Sequence, residues 1–239
     1  MKTKTFAFTC IIHLILFIYA TPGVATDNQI NRKSLTILGI TPGVSKFNDV
    51  YNSFGEATRQ SLGDAATSRT EICYRIHDGL HEAILIFSSN NEMAGSPEFI
   101  VTDITVYSRE YNIKPDYTEL PFIEPYDNPN ICSLVKSNSL KIRTSNGIKL
   151  GMKQKQIYSI LGKPVDKNNN SAGYSSCIEQ LMNPTGKDYD YWSKRRGCFE
   201  DNKGGWNGKP HYDICTGINI LFENGIAVYF IISSGTSVC

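Results

Sequence analysis

His77 and His81, with Asp78 and Glu82 beside them, are the first residues in the chain that invite a metal site. They bracket an Asp-Gly pair typical of a hairpin turn, and no third histidine stands at ligand spacing, so they read as turn decoration. His211 ends a polar loop ahead of an apolar run and reads the same way. Serine is plentiful, but no G-x-S-x-G elbow follows a predicted strand. A Cys–His nucleophile needs a free thiolate, which paired cysteines do not offer. Asp188, Asp190, Glu200 and Asp201 share one loop and read as solvated charges rather than an acid/base pair. The glycines mark turns, and none belongs to a phosphate loop ending in Gly-Lys-Ser/Thr. No catalytic residue, metal ligand or cofactor site is expected.

The loop of residues 183–211 departs from this economy. It holds both tryptophans, Trp192 and Trp206, with Tyr189, Tyr191 and Phe199, around the basic triplet Lys194, Arg195 and Arg196. Aromatic residues and arginine are enriched at binding hot spots, and loops this long are usually functional or disordered. The plain alternative is that the tryptophans pack the loop onto its own domain, tied by Cys198. Single-stranded nucleic acid also takes aromatic and basic residues, but one triplet on a near-neutral chain gives no basic track.

Residues 1–25 read as a secretory signal: Lys2 and Lys4, an apolar run over residues 6–20, then small residues at the −3 and −1 positions of a cleavage after Ala25. The run is shorter than the roughly 20 residues a membrane span needs. Cys10 lies inside it rather than after it, against a lipoprotein. The chain carries 24 Lys+Arg and 23 Asp+Glu, so it has no electrostatic footprint for nucleic acid or an anionic membrane. Beyond residue 25 stand Cys73, Cys132, Cys177, Cys198, Cys215 and Cys239, an even set that reads as three disulfides of open connectivity. The chain is therefore expected to be exported, to the periplasm or the extracellular space.

Stepping along the chain, an α+β protein of two tandem repeats is expected, each a helical segment packed on a small antiparallel β-sheet. In the first repeat, residues 26–109, a strand over 34–40 precedes a helix over 44–54 whose stripe is Val44, Phe47, Val50, Tyr51 and Phe54. Strands follow at 71–77, 81–88 and 98–108, the first two joined at Asp78 and Gly79. Residues 110–138 contain Pro115, Pro121, Pro125 and Pro129 and read as a stiff linker or wrapped-on arm, fastened by Cys132. The second repeat, residues 139–239, opens with a strand over 140–144. A helix ending at Gly162 and Pro164 follows, then strands at 174–182, 214–223 and 226–234, the last two joined by Asn224 and Gly225. Asn169, Asn170 and Ser171 form a glycosylation acceptor in a loop, relevant only in a eukaryotic source.

The repeats align through Gly39-Ile40 with Gly147-Ile148, Gly43-Val44 with Gly151-Met152, and Phe54-Gly55 with Leu161-Gly162. The second copy, Gly151-Met152, Ile157, Leu161-Gly162 and Pro164, resembles the motif of the SmpA/OmlA/BamE outer-membrane assembly lipoproteins. The β-lactamase inhibitor protein family carries that motif in tandem. The first copy departs from it, with Val44 for Met and Ala57 for Pro. The resemblance covers fewer than about 20 residues per repeat and implies helices on an antiparallel sheet used to bind proteins. It transfers no inhibitory residue. A non-catalytic binder of another protein is expected, through the 183–211 loop and the sheet faces. The alternatives are a small exported hydrolase using carboxylates or histidine near that loop, and an envelope assembly or structural component.

Overall fold

The computed structural model describes residues 30–62, 68–78, 81–92, 99–108, 131–135, 141–186 and 211–238. The predicted signal segment and most of the proline-rich segment lie outside these residues. The described chain forms two eight-residue helices, α1 (Phe47–Phe54) and α2 (Gln154–Leu161). Nine strands accompany them: β1 (Arg59–Leu62), β2 (Ser68–Asp78), β3 (His81–Glu92), β4 (Asp103–Ser108), β5 (Ser133–Val135), β6 (Asp166–Lys167), β7 (Ser171–Leu181), β8 (His211–Glu223) and β9 (Ile226–Val238).

The expected pair of small sheets is overturned. All nine strands form a single sheet, ordered β1-β2-β3-β4-β9-β8-β7-β6, with β5 added on β2. The join is the antiparallel β4–β9 pair, from Asp103 opposite Ser233 to Tyr107 opposite Tyr229. The described residues are predominantly antiparallel β-sheet with two short α-helices, not two helix-on-sheet repeats. Joining the strands in this way removes two central edges that separate sheets would expose.

Each helix is held by the same local devices. Gly43 has φ +72° and donates its N–H to the Val101 carbonyl at 2.7 Å; Gly151 has φ +79° and donates to Ala227 at 2.8 Å. Both conformations are ones glycine adopts without strain. The side chains of Asp49 and Gln156 reach back to accept from the amides of Lys46 and Lys153 at the helix starts. At the far ends Gly55 and Gly162 donate to Tyr51 and Tyr158. The core lies between helices and sheet, where Phe47, Val50, Ile157 and Leu161 meet Tyr74, Phe87, Ile104, Tyr174, Ile218 and Phe230.

Local expectations fared unevenly. α1 begins at Phe47, and Val44, expected on the buried stripe, sits in the preceding turn with 58% of its surface exposed. Residues 34–40 form no strand: a 3₁₀ turn (Arg32–Leu35) leads into a two-residue turn at Leu38 and Gly39, closed by reciprocal bonds between Ile37 and Ile40. Residues 141–144 contribute only a bridge from Thr144 to Ile37. The Asn224–Gly225 turn has φ of +51° and +75°, the pair of left-handed residues a tight hairpin requires.

Candidate functional site

Disulfides join Cys73 to Cys132 and Cys177 to Cys215. Both fit an oxidising compartment. Cys198 and Cys239 lie outside the described residues, as do Trp192, Lys194, Arg195, Arg196 and Trp206 of the predicted binding loop. Asp188, Asp190, Glu200 and Asp201 lie outside them too. The structure does place the two strands between which that loop runs, and their paired ends form the candidate site.

β7 and β8 pair from Ser171 opposite Leu221 to Leu181 opposite His211. Of β7, the helix-side core takes in Ala172 and Tyr174 and goes no further. Past that point the ribbon leaves the helices: Ile178 is 58% exposed and Leu181 is 65% exposed. Alternation along the strands puts Cys177, Glu179, Asp213 and Cys215 on the sheet face away from the helices. The Cys177–Cys215 bond therefore staples the ribbon across facing residues, with Cα atoms 4.0 Å apart.

One step beyond the staple, register sets Glu179 opposite Asp213. His211, two residues along β8 on the same face, brings Nε2 to 3.4 Å from Asp213 Oδ1. Glu179, His211 and Asp213 each offer one ligand atom within 4.8 Å of the others. A cation such as zinc, bound at about 2.0–2.2 Å, would require these side chains to draw together. Sequence reasoning singled out His211 alone. Glu179 joins it only through strand register, for which the sequence between residues 181 and 211 carries no signal. As an acid–imidazole–acid group the cluster can accept or hold positive charge and orient a proton. The cysteines beside it supply no thiol nucleophile, since they are joined to each other.

The other histidines singled out are not brought here. His77 Nε2 lies 3.5 Å from Glu82 on the β2–β3 pair, and β3 begins at His81. Elsewhere, an open groove of about 640 Å³ is lined by Thr36, Leu38, Lys141, Arg143 and residues 144–147. Both cations are exposed. Asn169 is exposed in the turn between β6 and β7.

Among the described residues no helix is long and apolar enough to cross a membrane. Compared with protein families, curated proteins and solved structures, the chain matches none.

Proposed function

We propose that this is an exported, non-catalytic protein that binds another protein through the free end of the β7–β8 ribbon and the loop it carries. The observation that carries this is the pair of exposed apolar residues, Ile178 and Leu181, on a ribbon that is both stapled and extended past the helices. Exposed apolar surface on a rigid element is a common mark of interaction sites. The disulfides and the predicted signal over residues 1–25 support export to the periplasm or the extracellular space. The motif shared with the tandem β-lactamase inhibitor family supports an inhibitor-like role.

The test uses the oxidised chain as bait against envelope and medium extracts, beside an Ile178→Lys/Leu181→Lys variant. A partner captured by the wild type and lost from the variant, with unchanged thermal unfolding, supports the proposal. Equal capture by both places binding elsewhere, and a variant of Trp192 and Trp206 then tests the loop alone.

The meeting of His211, Asp213 and Glu179 favours a second reading, a small exported hydrolase. It requires an activity that His211→Ala abolishes while the fold persists.

A further inference from the structure

We infer that the outer edge of β7 receives an extended segment of the partner protein as an added β-strand. The inference rests on the ribbon being the binding site. On its inner side β7 is bonded to β8 along its whole length. On its outer side β6 pairs only with Ala172 and Gly173, and Val165 adds one bond to Gly173. Over residues 174–181 no described strand pairs with that edge. Outward-facing N–H and C=O groups along such a stretch are a template for another strand.

The chain itself supplies the precedent. At the opposite end of the sheet β1 pairs with β2 only over residues 69–72, a short cover like the two-residue one that β6 gives β7. There the uncovered edge is taken by β5, which runs parallel to β2 with Ser133, Leu134 and Val135 beside Tyr74, Arg75 and Ile76. Cys132, one residue before β5, is bonded to Cys73 and holds the added strand in place. Tyr74 and Tyr174 both face the helix-side core of the strand after a helix. Thus β7 presents the position that β5 fills on β2. In place of tying an added strand, Cys177 turns inward to β8.

Residues 174–181 hold no Lys, Arg or Pro, the residues that most often block edge pairing, and Glu179 is their one charge. Their side chains define the occupant. Ile178 points to the helix side, and Glu179, next to Asp213, to the other. A strand laid alongside meets Ile178 on one face and the Glu179 carboxylate on the other, with Leu181 at the end of that second face. The fitting partner segment therefore alternates apolar and basic residues.

The test uses the oxidised full chain and the capped peptide (Val-Lys)4, with (Val-Glu)4 and an alternately N-methylated (Val-Lys)4 as controls. Titration by calorimetry is read beside amide exchange. Binding of (Val-Lys)4 alone is expected, with slowed exchange across residues 174–181. Ile178→Lys is expected to weaken it about tenfold or more, and Glu179→Lys to shift preference toward (Val-Glu)4. No binding of (Val-Lys)4, or equal binding of the N-methylated form, overturns strand addition. Concentration-dependent self-association that protects residues 174–181 without peptide also overturns it, in favour of a second copy of this chain. Peptide binding lost while partner capture through Ile178 and Leu181 persists removes strand addition only. Loss of both removes the binding site as well.

Discussion

The two ends of the sheet start from the same frame and finish differently. In each, a glycine-led turn, an eight-residue helix and a short outer strand precede the long strand, β2 or β7. On the β2 side the edge is covered by β5, and the face away from the helices is buried: Cys73, Ile84, Ile86, Tyr107 and Cys132 form a second apolar cluster. Even Glu71 there is fully buried, its carboxylate 2.7 Å from Arg69 Nε. On the β7 side no described strand covers the edge over residues 174–181, and Ser175, Cys177 and Glu179 of the same face are exposed. One disulfide attaches an extra strand; the other braces a ribbon to which no described strand is added. The β2 end is thus the better buried of the two, and the proposed contact surface lies at the β7 end.

Removing the disulfides breaks the comparison most sharply. Loop closure alone gives the two bonds nearly equal weight, about 4 kcal/mol each for separations of 59 and 38 residues. Cys73→Ala/Cys132→Ala is expected to cost more than that, because β5 and the buried cluster come loose with it. Cys177→Ser/Cys215→Ser is expected to cost less, since exposed strands already paired lose only the brace. Urea unfolding of the two double variants checks the order.

The helix-entry glycines give the next effect. A Cβ at Gly43 would stand 2.7 Å from Ser234 Oγ and 2.9 Å from Arg32 Cζ, whereas at Gly151 nothing lies within 4 Å. Both positions have positive φ, so alanine is strained at each by about 1 kcal/mol. Gly43→Ala must also displace Arg32, which donates to Ser234 at 2.9 Å, and is expected to cost about 2–3 kcal/mol. Denaturation midpoints of the two variants read the gap.

Tyrosine hydroxyls sharpen the same contrast at smaller scale. Tyr74 donates to the Gly55 carbonyl at 2.7 Å, while the buried Tyr174 hydroxyl has no hydrogen-bond partner among the described residues. Tyr74→Phe is expected to cost about 1 kcal/mol and Tyr174→Phe nothing, or to stabilise slightly. Burial raises the pKa of both phenols above the ordinary 10.0. A folded pKa raised above the unfolded one contributes stability that is complete below about pH 10 and lost as pH climbs past it. Phenolate absorbance for these two should therefore rise only with alkaline unfolding, and both Phe variants should blunt that loss.

What the sequence disclosed follows the range of its signals. Asn224 and Gly225, and the glycines closing each helix, act within a few residues, so the final hairpin and both helix ends were legible. The β4–β9 join pairs Asp103 with Ser233 across about 130 residues, and no local pattern announces it. The three-residue β5 was invisible in a proline-rich arm, although Cys132 marked its attachment. The stretches at 34–40 and 140–144 carry strand-like alternation, yet Leu35, Ile37, Ile40 and Ile142 are buried by bridges and turns rather than by a ladder. At the site His211 was legible as a chemical group. Its partner Glu179 was not, because only register brings them together.

The most direct measurement is residue-resolved amide exchange on the oxidised chain without a partner. Protection is expected along β2, including residues 74–76 under β5, and slowest exchange where β4 meets β9. Over residues 174–181 the amides turned toward β8 should be protected and the alternate, outward amides should exchange fast. Uniform protection across residues 174–181, or rapid exchange between β4 and β9, would contradict a single sheet with one covered and one open edge.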